Sequence, residues 1–258
     1  MSGPITSLGR RVGTTAEELG RFAAFAGHVL AVSMKPPLRL RELGDEVYKI
    51  GVLSILIICV SGLAVGMVLA LQGYTTLVRF GAENSLGAVV GLGLIRELGP
   101  VLTGLLTTGR AGSAVTAEIG TMKATEQLDG LRMMAVDPVD YVVRPKVWAM
   151  ILSMPLLSGL FIVSAIGGGY FVGVHLMGID AGTYMSSMEN SVDFDEDVAG
   201  CLLKTLVFGV LVALISTYRG FVAKPTSAGV SAATTSTVVI ASVSILIFDY
   251  FLTALWGV

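Results

Sequence analysis

Charge is scarce in this chain. Its 17 Lys and Arg and 19 Asp and Glu make up 14% of 258 residues, against roughly 25% in a soluble domain. So few charges cannot coat a water-facing surface. With 53% hydrophobic residues and a mean hydropathy of +0.80, they point to an integral membrane protein. Histidine is limited to His28 and His175, far apart and without a ligand cluster. Cysteine is limited to Cys59 and Cys201, which fall in or at the edge of apolar stretches and read as buried thiols, not as a disulfide or a zinc site. A net charge of -2 argues against a nucleic-acid partner. No nucleophile–base or metal spacing makes a case for an enzyme. Gly104 to Arg110 resembles half of a phosphate loop, but lacks the following Lys-Ser/Thr and a preceding strand. No cleavable leader is expected at the start, where Arg10, Arg11, Glu17, Glu18 and Arg21 interrupt the apolar residues.

What the chain does have is long uncharged runs. Ile50 to Leu71 is 22 residues without a charge, and at about 1.5 Å per residue it crosses a core of about 30 Å. Four more spans are expected near 85–109, 147–172, 198–218 and 232–256. The fold class is therefore all-α and membrane-embedded, with five transmembrane helices in one unit over 50–258. Gly62 and Gly66 suggest a helix-packing face. Pro155 and Gly167 to Gly169 suggest a kink or a tilted third span. Residues 1–49 form a separate amphipathic region. Ile5, Leu8, Val12, Leu19, Phe22, Ala26 and Val29 recur at helical spacing, as in a helix lying in the membrane interface. Thr14 with Glu17, or Thr15 with Glu18, is expected to cap its start, and Pro36-Pro37 to stop it. A short charged helix, Arg39 to Lys49, follows.

Basic residues alternate across the connections. Residues 1–49 hold seven, 72–84 one, 110–146 five, 177–197 none and 219–230 two. The positive-inside rule places the amino terminus and 110–146 in the cytoplasm and the carboxyl terminus outside.

Three groups of residues stand out. Arg96-Glu97 lies mid-span, where a charge costs about 2.5–3.5 kcal/mol even on a lenient scale and usually faces a cavity. The two side chains point about 100° apart, so each needs its own partner. Pro100 also frees a backbone carbonyl near Arg96. Lys204 and Asp249 sit at matching depth in spans four and five, either as a salt bridge or as a polar collar. Glu118, Lys123, Glu126, Leu128, Asp129, Leu131, Arg132, Met133 and Met134 mix charge with large apolar residues, as a helix with both membrane and partner faces would. The acid run Asp193 to Asp197 reads most simply as a solvated outer loop.

Three stretches carry a resemblance. RELGPVLTGLLTTGRAGSAVTAEIGTMKATEQLDGLRMMAVDP (Arg96 to Pro138), GVLSILIICVSGLAVGMVLALQGY (Gly51 to Tyr74) and PTSAGVSAATTSTVV (Pro225 to Val239) closely resemble the MlaE permease family of bacterial ABC-type phospholipid transport systems. The resemblance implies a multi-pass permease subunit in the inner membrane of a Gram-negative bacterium. It implies a homodimer with a lipid cavity at its centre. The implied partners are a cytoplasmic ATPase, MlaF, with the small protein MlaB, and a periplasmic ring of MCE-domain MlaD subunits. ATP and Mg would be held on the ATPase, and no cofactor in this chain. By position, Arg96 and Glu97 match the family's charged pair near the cavity, and Tyr74 and Phe80 match positions at the outer ends of the first spans. Phe80 stands where some relatives have Tyr, which removes a hydroxyl. Lys204 and Asp249 match polar positions, and Glu118 to Met134 match the segment that couples to the ATPase. Two readings from other classes remain open: an ion-coupled secondary transporter using the intramembrane charges, and a non-transporting scaffold for a periplasmic ring.

Overall fold

The computed structural model describes residues 4–33 and 40–256. Eleven α-helices are found among the described residues, and no strand. They are α1 (Pro4–Ser33), α2 (Leu40–Ile50), α3 (Ile55–Leu77), α4 (Leu86–Gly93), α5 (Gly99–Thr107), α6 (Ser113–Ala124), α7 (Gln127–Met133), α8 (Arg144–Tyr170), α9 (Ala181–Ser191), α10 (Ala199–Val222) and α11 (Ser227–Trp256). Five helical runs are long and apolar enough to cross a membrane: Leu40–Phe80, Glu83–Ala124, Val139–Leu176, Asp195–Val222 and Ser227–Leu255. The chain is a multi-pass membrane protein. Its outward side chains fit that setting, with Leu56, Val60, Leu156, Val163, Phe251 and Leu255 all exposed.

The runs are longer than the uncharged stretches that announce them. The second does not stop at Gly109 but continues to Ala124 through two π-helical turns, Leu94–Leu98 and Thr108–Gly112. The reason is burial. Thr116 on α6 donates to the Ser216 carbonyl at 2.9 Å and lies 3.0 Å from the Thr237 hydroxyl, which binds α6 to α10 and α11.

The packing face expected from Gly62 and Gly66 is present. A Cβ on Gly66 would run into the carbonyl of Ala165, and one on Gly168 into that of Leu63, so α3 and α8 meet backbone to backbone. Without a hydrophobic drive between helices in lipid, such close approach is what holds them together. Gly168 is therefore a contact surface. Pro155 lies inside an α8 that remains α-helical from Arg144 to Tyr170.

Two buried apolar clusters fill the bundle. One, around Val115, Ile119, Met150, Phe208 and Val212, lies towards α7; the other, around Leu86, Val90, Phe161 and Tyr184, lies towards α9. The 177–197 connection contains helix α9. Asp180 caps it, accepting from the Thr183 N–H at 2.8 Å, which holds the Asp180 carboxyl below its usual range. Tyr184 is fully buried and meets Tyr170 edge to face at 5.8 Å; burial pushes its phenol up to about 12.

α1 begins at Pro4, upstream of both Thr-Glu pairs, so neither capping box starts it. It ends at Ser33; Pro36-Pro37 lies outside the described residues. Phe22 and Phe25 stack on Tyr218 of α10, and Val29 is fully buried, whereas Leu19 of the same expected stripe is 64% exposed. The helix thus packs on the α7 end of the bundle along its second half.

Candidate functional site

The two intramembrane sets read from the sequence are one cluster. Arg96 and Glu97 sit on the π-helical turn Leu94–Leu98, and such turns recur at functional sites because they re-aim side chains. The adjacent residues take different partners. Arg96 Nε donates to Asp197 Oδ1 at 2.6 Å, and Glu97 Oε1 accepts from Lys204 Nζ at 3.0 Å. Lys204 also donates to Thr253 Oγ1 at 2.8 Å and to the Arg96 carbonyl at 2.7 Å, with Asp249 Oδ1 3.7 Å away. In α-helical register that carbonyl would pair with the N–H of residue 100, which is proline and has none. The vacancy foreseen near Arg96 is taken up by Lys204.

Lys204 and Asp249 are thus not a simple pair. Glu97 is the nearer carboxylate, and Asp249 Oδ1 makes no hydrogen bond. Lys204 is a hub with acceptors on two other spans. Formally the cluster holds two cations and three carboxylates. Each charge is paired, as burial in a low-dielectric setting requires.

Asp197 was not singled out by sequence reasoning. It belongs to the acid run expected to be solvated, yet its side chain is 1% exposed and pairs with Arg96. The run forms a π-helical turn, Phe194–Val198, leading into α10. The available signal was Asp197's place one residue ahead of an apolar span. Asp193 and Asp195 remain exposed.

Arg96 Nε is committed, but its two terminal nitrogens have no partner among the described residues, and the side chain is 33% exposed. It faces a cavity of about 30 Å³ lined by Glu97, Glu196, Asp197, Cys201, Lys204 and Thr253. That is room for about one water and not for a phospholipid. The site offers a guanidinium edge to an anion beside apolar helix surfaces. Tyr74 and Phe80 do not line it: Tyr74 packs against the cluster towards α9, and Phe80 is 79% exposed.

The segment Glu118 to Met134 divides into three. Glu118 and Lys123 lie on α6 and bond their own chain. Glu118 pairs with Lys146 at 2.7 Å, and Lys123 donates to the Phe221 carbonyl at 2.8 Å. Glu126, at a positive φ of 58°, turns the chain into α7. On α7, Leu128 is 3% exposed and Leu131 packs against the core, while Asp129 pairs with Arg132. Met133 and Met134, 85% and 68% exposed, form the apolar tip. Among the described residues no group of His, Cys, Asp and Glu could hold a metal.

Known proteins share this arrangement's sequence. The family described as Permease MlaE matches residues 43–255. The chain is 50% identical over 255 residues to the intermembrane phospholipid transport system permease protein MlaE of Haemophilus influenzae, covering 97% of this chain and 96% of that one. It is 40% identical over 250 residues to a protein named as a probable ABC transporter permease in Rickettsia bellii, covering 97% and 96%. A protein of the same description from Synechocystis is 38% identical over 232 residues, covering 89% and 88%. The matched region takes in all five spans but for residues 40–42, with the charge cluster and α7, and the chain belongs to the MlaE permease family.

Proposed function

We propose that this chain is the membrane-embedded permease subunit of an ABC transporter that moves phospholipid between the inner and outer membranes and so maintains outer-membrane lipid asymmetry. The observation that carries the reading is the 50% identity, end to end, with a permease named for intermembrane phospholipid transport. In this reading the chain sits in the inner membrane with its amino terminus and α7 in the cytoplasm, as the basic connections favour. Two copies enclose a lipid cavity between them. ATP and Mg act on a separate ATPase of the MlaF kind, which binds MlaB. A ring of MlaD subunits receives or delivers lipid on the periplasmic side.

The residues divide the work. Met133 and Met134 give the ATPase an apolar tip to grip. α7 follows directly on the run Glu83–Ala124, which also carries Arg96, so displacement at the tip travels along one helix to the cavity wall. Arg96 offers its free nitrogens to a lipid phosphate, while exposed apolar faces hold acyl chains. Asp197 and Lys204 keep Arg96 and Glu97 in place. Lys204, with three hydrogen-bond acceptors, is anchored and poorly suited to the moving relay an ion-coupled transporter needs.

The test is ATP turnover by the reconstituted complex, with mass spectrometry of the lipid that co-purifies. The expected result is bound phospholipid that falls in Arg96→Ala/Glu97→Ala together with altered turnover. Unchanged lipid and turnover would remove the pair from the mechanism. Transport driven by an ion gradient without any ATPase would replace the reading.

A further inference from the structure

A second buried charge network lies at the α7 end, apart from the Arg96 cluster. Lys146, at the start of α8, is 3% exposed and donates to Glu46 Oε2 of α2 at 2.9 Å and to Glu118 Oε2 of α6 at 2.7 Å. Lys49, one turn along α2, donates to Glu46 Oε1 at 3.0 Å, and its Nζ stands 3.9 Å from Glu118 Oε1. Burial splits the network into two halves. Lys146 and Glu46 are 3% and 11% exposed, whereas Lys49 and Glu118 are 52% and 43% exposed. A cavity of about 200 Å³, also lined by Asp45 and Tyr141, gives the exposed half room to move.

Eight residues before Glu118, Arg110 fixes the same helical run to α2. Its Nη1 donates to the Lys49 carbonyl at 2.6 Å and to Ser54 Oγ at 2.9 Å. Eight residues of helix span about 12 Å. This run is thus held at two points: to α2 by the bond from Arg110 to backbone, and further out by the ion pair of Glu118 with Lys146 of α8, which in turn holds Glu46 of α2. The first is a pivot. The second ends on a carboxylate with one ammonium in contact and another 3.9 Å from its second oxygen.

We propose that Glu118 has two seats, Lys146 and Lys49, and passes from one to the other as α6 swings about Arg110. Lys146 stays with Glu46 throughout. The exchange lets the α7 end shift without leaving a buried charge unpaired, the state that costs most. Lys49 and Lys146 are positioning residues: they act through Glu118 on the angle between α6 and α2. The inference rests on the ATPase-driven reading above, because it supposes that α7 is pushed.

The experiment measures lipid transferred per ATP hydrolysed in the reconstituted full complex, for Lys49→Met, Lys146→Met and the corresponding Arg variants. Both Met variants are expected to lower that ratio at least tenfold, and both Arg variants to stay within threefold of wild type. Lys49→Met is decisive, because Glu46 keeps Lys146 when its bond to Lys49 is lost, and a half-exposed, 3.9 Å contact with no moving role is worth little. An unchanged ratio in Lys49→Met overturns the proposal. So does a fall in transfer and hydrolysis in the same proportion in both Met variants. If Lys146→Met fails to accumulate, Glu118→Gln takes its place with the same expected loss and the same overturning result. A wild-type complex that hydrolyses no ATP would overturn the ATPase-driven reading, and this one with it. That outcome is recognised by silence before any residue is changed.

Discussion

Pro100 and Lys204 meet through one carbonyl. Proline at 100 has no N–H for the oxygen of Arg96, and Lys204 Nζ, from a different span, donates to it at 2.7 Å. A helix defect in span two thereby fixes the position of a cation in span four. Pro100→Ala removes the ring that bars α-helical register here, and in that register the new N–H competes for the Arg96 oxygen and loosens Lys204. We expect lipid transfer by the reconstituted complex to fall several-fold while the chain accumulates normally. Wild-type transfer would show that the carbonyl does not position Lys204.

Removing Lys204 should cost far more. Lys204→Met strands Glu97 and Asp249 together in the bundle, and breaking a buried pair from one side costs about 3–5 kcal/mol. Thermal unfolding in detergent should show a large drop for Lys204→Met and partial recovery when Glu97→Gln is added.

The Arg96–Asp197 pair is suited to a double-mutant cycle. With the carboxylate 1% exposed and the bond 2.6 Å long, Arg96→Gln and Asp197→Asn should couple by about 1–3 kcal/mol. Additive effects on unfolding would mean that Asp197 is not the residue that holds Arg96.

α7 has an inner and an outer face, and mutations should divide accordingly. Met133→Asp and Met134→Asp should reduce ATPase co-purification and leave the melting temperature of the permease unchanged. Leu128→Asp, at 3% exposure, and Leu131→Asp should instead lower accumulation of the chain, since both pack inward. A charge introduced at Leu131 is therefore a poor probe of ATPase binding.

The carboxyl of Asp180 lies below its usual value of 3.8 because the Thr183 N–H and hydroxyl donate to its charged form. Its stabilisation of α9 is complete above that value and is lost as pH falls through the lower folded one. Protection of the first turn of α9 from amide exchange, relative to the intrinsic rate, should fall below about pH 4, and in Asp180→Ala it should be low at every pH.

The five spans were legible because a run of apolar residues needs no partner to be recognised. Their ends were not. α6 looks too polar to continue span two, yet Thr116 finds its acceptor on α10, and no single segment reveals that. Arg96, Glu97, Lys204 and Asp249 each stood out as costly in lipid, and the different directions of Arg96 and Glu97 followed from helix geometry. Their union in one cluster depends on how three helices are rotated, which a one-dimensional pattern does not hold. Asp197 was hidden by its neighbours, because Asp193, Asp195 and Glu196 made a buried acid look solvated. Glu118 was read for its outward chemistry, and its partner Lys146 was counted only as one of five basic residues in the connection.

The α3–α8 contact bears on where this protein is able to bend. Gly66 and Gly168 leave no layer of side chains between the two helices, so no rotamer change can take up a slip of one past the other. A shift of one residue along the axis would drive a Cβ into a carbonyl. The first and third spans therefore behave as one stiff plank. Any breathing of the bundle must come from the second, fourth and fifth spans, which the charge cluster ties to one another.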